Sequence, residues 1–151
     1  MTATIPAVGH HVDVPVDPQQ AFDLFTREIN RWWRKGSPYW NDGTRACGLR
    51  FETGVGGRFI EVYDEATGEG FEIGSVQVWE PGARIVFTWR QADWGSGENI
   101  EGEARFESIE GGTRVTMTFR GFENVTGGAE LSHGYGYGAG ELLGWYKEAA
   151  G

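Results

Sequence analysis

The sequence has a single cysteine, Cys47, so no disulfide can close within the chain and no multi-cysteine metal site can form. Its setting, TRACGL, has no feature of a reactive-thiol motif, and a small, half-buried hydrophobe is the expectation for it. Basic residues are also scarce: 13 lysines and arginines stand against 22 aspartates and glutamates, for a formal net charge of −9. That excess repels phosphate backbones and anionic lipid surfaces, and no polybasic run offsets it. Nucleic acid and membranes are therefore excluded as partners. No apolar run approaches about 20 residues, so no segment is expected to span a bilayer. The start, MTATIPAVGHH, lacks a positive segment ahead of an apolar core, so no signal peptide is expected and a cytoplasmic location follows. Histidines number three, and neither they nor the carboxylates show metal-ligand spacing, so neither metal nor cofactor is expected. The stretch GVGG at 54–57 lacks the following helix and the Lys–Ser/Thr pair of a phosphate loop; it reads as a hairpin turn.

Apolar residues make up 39% of the chain and aromatics 14%, enough for a core in one domain over 1–151, with residues 1–7 as a frayed tail. A first strand is expected over 8–16. Asp17 then suits an N-cap, Pro18 the first helical position and Gln20 a capping box. Phe22, Phe25, Ile29 and then Trp32 or Trp33 recur on one face, with Asp23, Arg27, Glu28 and Arg31 opposite, and a break is expected near Thr26 or Arg27. Adjacent tryptophans on a helix point about 100° apart, so Trp32 and Trp33 cannot enter one core in the same way.

From Leu49 onward the period changes to two. Strands are expected over 49–53, 58–64, 71–79, 83–90, 100–109 and 113–122, separated by turn-like GVGG, EATGEG, EPGA, DWGSGE and EGG. Connections this short join antiparallel neighbours. Ile85, Phe87 and Trp89 share one face, as do Val115, Met117 and Phe119. Arg58, Arg105 and Arg120 with Glu103 and Glu107 are expected to pair across strands on the wet face. The glycine-rich stretch before Glu141 weakens a helix, whereas ELLGWYKEAA over 141–150 is firmly helical, with Leu142, Trp145 and Tyr146 on one side.

Strand, one or two short helices, about six antiparallel strands and a closing helix make an α+β chain. The economical packing is one curled antiparallel sheet of six to seven strands around the C-terminal helix, with a hollow left between them. One tryptophan of the Trp32–Trp33 pair would then fill the core and the other would cap the hollow. The exposed edge of such a sheet makes a homodimer an option.

The residues VPVDPQQAFDLFT, INRWW, VGGRFIEV, GSVQVWEPGARIVFTWR and GTRVTMTFRGFEN, with the closing helix, resemble the SRPBCC (START/Bet v 1-like) superfamily. More narrowly they resemble its AHSA1-type family, the bacterial relatives of the C-terminal domain of the Hsp90 ATPase activator. The resemblance implies the helix-grip fold. It also favours an inward Glu61, which lies between Phe59 and Tyr63 on one strand face. The opposite register would put Ile60 and Val62 inward instead. Candidate ligand-binding residues are Trp33, Phe59, Glu61, Tyr63, Trp79, Trp89, Tyr135, Tyr137 and Glu141, the last facing Glu61 from the closing helix. No catalytic residue is assigned.

Three functions are compatible with these residues. The first is binding of a small hydrophobic or aromatic molecule between sheet and helix, because an aromatic wall with few polar groups suits a flat apolar ligand. The second is a polyketide-cyclase-like or hydratase-like enzyme using Glu61 as acid or base. The third is an Hsp90-type chaperone co-factor. It ranks last, because the eukaryotic activator uses an additional N-terminal domain for which these 151 residues leave no room.

Overall fold

The computed structural model describes residues 4–151. Seven strands form one antiparallel sheet: β1 (Val8–Val14), β2 (Gly48–Phe51), β3 (Arg58–Asp64), β4 (Glu69–Glu80), β5 (Arg84–Trp89), β6 (Ile100–Ile109) and β7 (Gly112–Arg120). Their spatial order is β1-β7-β6-β5-β4-β3-β2, so β2 to β7 form a meander and β1 closes beside β7. Register shifts at Phe59/Ile60, Val62/Asp64 and Val76/Val78 mark bulges, which bend and twist the strands they interrupt. The curled sheet wraps α2 (Gly128–Ala150), giving the expected helix-grip arrangement. Of the tail expected over 1–7, residues 1–3 fall outside the described residues. In the remainder, the Ile5 amide donates to Glu123 Oε1 at 3.2 Å, and Ile5 packs on the core.

Helix α1 (Pro18–Phe25) starts as its residues dictate. Asp17 Oδ1 accepts the Gln20 amide at 2.8 Å, and Gln20 Oε1 accepts the Asp17 amide at 3.2 Å. It ends at the expected break, where the Thr26 hydroxyl bonds back to the Phe22 carbonyl at 2.8 Å. A 3-10 turn over Ile29–Arg31 follows, and Trp32 leaves helical geometry at φ −127°. The 100° constraint therefore lapses, and both tryptophans are buried, at 3% and 4% exposure. Trp32 enters the core: its indole donates to the Leu24 carbonyl (2.9 Å) and its ring meets Tyr146 edge-on at 5.4 Å. Trp33 donates to the Tyr39 carbonyl (3.1 Å) and tilts against Trp89 at 6.2 Å, beside the hollow.

The inner sheet face carries Ile85, Phe87, Trp89, Val115, Met117 and Phe119, all buried. Gly102 on β6 leaves room for the rings from both neighbouring strands. A Cβ there would lie 2.6 Å from Phe87 and 3.3 Å from Phe119. On the outer face Glu103 is nonetheless buried, because Arg120 (3.0 Å), Arg105 (3.2 Å) and Arg84 (3.4 Å) converge on it. Arg58 departs from the expected pairing. It binds Glu52 across the tight β2–β3 turn at 2.7 Å, while Arg114, opposite Glu107, pairs with Asp13. Cys47 is exposed rather than half-buried, since it precedes the edge strand β2; its amide donates to the Val62 carbonyl at 2.8 Å and its thiol to the Tyr63 carbonyl at 3.6 Å.

Helix α2 begins at Gly128, well before the firmly helical 141–150, and runs through the glycine-rich stretch. Its buried side, including Ala139, Leu142, Leu143 and Tyr146, packs into the sheet. Gly140 lets β1 approach closely, since a Cβ there would lie 3.1 Å from the His10 ring, whereas one at Gly136 would meet Val8 at an ordinary contact distance of 3.5 Å. Tertiary packing thus overrides low propensity. Gly144 differs, because a Cβ there meets nothing within 4 Å. Gly144→Ala should therefore stabilise the helix by about 0.5–1 kcal/mol, raising the melting temperature by roughly 1–4 °C. A lowered melting temperature would contradict this packing.

Candidate functional site

A cavity of about 1040 Å³ lies between the sheet and the first half of α2. Leu49, Glu61, Ile73, Trp89 and Phe119 supply its sheet wall, one from each of β2, β3, β4, β5 and β7. Leu131, Tyr135, Ala139 and Leu142 of α2 face them. Three connecting segments complete the rim, at residues 38–41, 91–98 and 125–127. Apart from Glu61, the buried wall residues are apolar, whereas Asp93, Thr126, Glu130 and Gly134 are exposed at the mouth.

Glu61 points inward and is 1% exposed. Its carboxylate accepts four hydrogen bonds: from the Asn41 amide (2.8 Å), the Asn41 side chain (3.2 Å), the Asp42 amide (2.8 Å) and the Tyr63 hydroxyl (2.6 Å). Every partner donates, so an acceptor-only carboxylate fits the place. Burial, and then the bond to Glu61, push the Tyr63 hydroxyl well above the ordinary tyrosine range, and the Arg45 guanidinium covers its ring at 4.2 Å. Asn41 carries the connection further, because its Oδ1 accepts the Ala92 amide at 2.9 Å. Glu61 thus ties the segment at 38–42 to the one at 91–94.

A second bridge crosses the mouth. Glu98 accepts the Thr126 amide (2.7 Å), the Thr126 hydroxyl (2.8 Å) and the Gly95 amide (2.9 Å). These bonds, the Thr126 amide first, hold its carboxyl below the usual glutamate range. Deeper in, the Tyr135 hydroxyl accepts the Trp89 indole N–H at 2.7 Å and the Gln91 amide at 2.9 Å. Burial raises the Tyr135 pKa well above its ordinary value, and the nearby Asp93 charge adds to the rise.

Of the nine candidate residues, the structure brings Trp33, Glu61, Trp89 and Tyr135 to the cavity. The other five lie off it. Phe59 stacks on Phe51 at 4.0 Å and supports Trp89 from behind. Tyr63 reaches Glu61 from outside the lining. Trp79 packs edge-on against Phe22 at 5.1 Å, beneath α1. Tyr137 is 71% exposed and its hydroxyl donates to Glu141 at 3.3 Å. Glu141, half-buried, lies between Tyr137 and Tyr39, and none of its hydrogen bonds reaches Glu61. Sequence reasoning passed over Asn41, Gln91, Asp93, Trp94 and Glu98, which come from segments read only as turns or loops, and Glu130, from the glycine-rich stretch where the pattern leaves the start of the closing helix open. The available signal was aromatic: Trp40 and Trp94 sit in irregular segments that have no core of their own.

A smaller cavity of about 450 Å³ lies across the Trp32–Trp33 pair, beside the end of α2. Arg31, Arg34 and Lys35 line it with Trp40 and Trp145, and Arg34 lies over the Trp145 ring at 5.0 Å.

The fold recurs in solved structures. A protein from Mesorhizobium loti superposes with a TM-score of 0.68 at 17% identity, over 95% of this chain and 96% of that one. The solution structure of an Aha1 dimer from Colwellia psychrerythraea gives 0.65 at 15% identity, over 97% and 96%. CalU16 from Micromonospora echinospora gives 0.63 at 16% identity, over 97% and 78%. No curated protein matches the sequence. The family model for Activator of Hsp90 ATPase homolog 1-like protein matches residues 15–141, from just after β1 into α2, and the chain belongs to that family.

Proposed function

We propose that the protein binds a small hydrophobic or aromatic molecule in the large cavity between sheet and α2. The observation that carries this reading is the state of the tryptophans in the wall. Trp33, Trp40 and Trp89 donate their indole N–H groups to protein acceptors, so they present ring faces and little unmet polarity to the interior. A volume of about 1040 Å³ with an aromatic lining and a few oriented polar groups suits a compact organic ligand. The acid–base reading has less support, because four donors already occupy the Glu61 carboxylate. The chaperone reading rests on the family description alone, and a homodimer on the dimeric relative.

Gly134 offers the test. It lies at the mouth on α2, and a Cβ built there meets nothing within 4 Å. Gly134→Phe should therefore fold, with no fall in melting temperature, while its ring grows into the opening. N-phenyl-1-naphthylamine, titrated by its own fluorescence, should lose about tenfold or more in affinity, since a blocked pocket forfeits both contact and desolvation. Undiminished binding by the folded variant would place the probe elsewhere.

A further inference from the structure

The two cavities differ in charge. The small one carries Arg31, Arg34 and Lys35 against a single carboxylate, Glu148, which pairs with Arg34. The large one is lined by Glu61, Asp93, Glu98 and Glu130, and by no lysine, arginine or histidine. Four of the chain's seven tryptophans, Trp33, Trp40, Trp89 and Trp94, face the same space. Glu61 and Glu98 are held by protein donors, as described. Asp93 and Glu130 are not: neither has a hydrogen-bond or ion-pair partner among the described residues, and both stand exposed at the mouth. Asp93 adjoins Trp94, whose ring lies 6.2 Å from that of Tyr135, and its charge reaches the Tyr135 hydroxyl.

An anionic ligand would enter this cavity with no cation to replace its lost water, and it would meet charges of its own sign. A cation meets the opposite: aromatic faces that attract it through their quadrupoles, and two uncommitted carboxylates at the entrance. The net charge of −9 adds a long-range bias in the same direction. Resting on the binding function proposed above, we infer that the large cavity selects ligands with an aromatic or apolar body and a protonated amine or quaternary ammonium group. The body lies among Trp33, Trp89 and Tyr135, and the cation sits near Asp93, Trp94 and Glu130. Free fatty acids and other carboxylates are disfavoured occupants.

A matched series separates charge from shape: 1-naphthylmethylamine, 1-naphthalenemethanol and 1-naphthoate share one ring system and carry positive, neutral and negative groups at neutral pH. Calorimetric titration of the full chain should rank them in that order, with the amine about tenfold or more tighter than the naphthoate. Raising salt should narrow the gap, since the carboxylates at the mouth are solvent-screened. In the double variant Asp93→Asn, Glu130→Gln, the ratio of amine to alcohol affinity should collapse toward one. Naphthoate binding as tightly as the amine, or equal affinity for amine and alcohol in the unmodified protein, would overturn the charge inference and leave the cavity reading standing. Absence of binding by all three would overturn the cavity reading, and the charge inference with it.

Discussion

Replacing Glu61 with leucine is expected to destabilise the protein by about 3–5 kcal/mol, because a buried acceptor would vanish while its donors remain. The Asn41 and Asp42 amides and the Tyr63 hydroxyl all end on this one carboxylate, which is 1% exposed. Their loss also frees Asn41, and with it the bond to Ala92 that joins two sides of the cavity rim. Glu61→Gln should cost less, roughly 1–3 kcal/mol. Its amide keeps one accepting oxygen, but its NH2 group would face a donor. Thermal or urea unfolding decides the matter. A group acting only in catalysis could be removed at little cost to stability, so a Glu61→Leu melting temperature within about 2 °C of the unmodified protein would remove the structural role assigned here.

The second large effect belongs to Trp32. Trp32→Ala should lower stability by about 3–5 kcal/mol, which in a domain of this size shifts the melting temperature by roughly 6–20 °C. The indole sits between Phe25 (5.4 Å) and Tyr146 (5.4 Å), and its N–H caps the Leu24 carbonyl at the end of α1. Removing it opens a void where the helical segments meet and leaves that carbonyl without its partner. Trp33→Ala should cost less, since its ring already borders open space and its removal widens an existing cavity. Equal costs for the two substitutions would contradict this division of labour.

Much of the fold is legible in the residues themselves. Strands β3 and β6 match their expected bounds because alternation and turn residues agree there. The capping box of α1 is local chemistry and forms as its sequence implies. The start of α2 was not legible, since glycine propensity opposes a helix that packing against β1 and the inner face of the sheet stabilises. Cys47 and Trp79 show the same limit: composition ranks them as buried or pocket-lining, but edge position and the place of α1 decide. In the site, although the strand pattern alone leaves its register open, the inward Glu61 could be anticipated from the family resemblance. Its partners could not. Asn41 reaches Ala92 across 51 positions, and Glu98 reaches Thr126 across 28, distances that no local pattern encodes.

The pairing of β1 with β7 has a kinetic consequence. Val8 lies opposite Phe119 and Val14 opposite Thr113, so the first strand has no sheet partner until roughly 100 further residues are in place. During synthesis the amino-terminal segment must stay unpaired while the β2–β7 meander is assembled through short hairpins. Its docking completes the sheet and brings up the flank against which the glycine face of α2 rests. The pairing that adds β1 to the sheet is thus its longest-range one, and until β7 exists the strand's edge groups have no native partner.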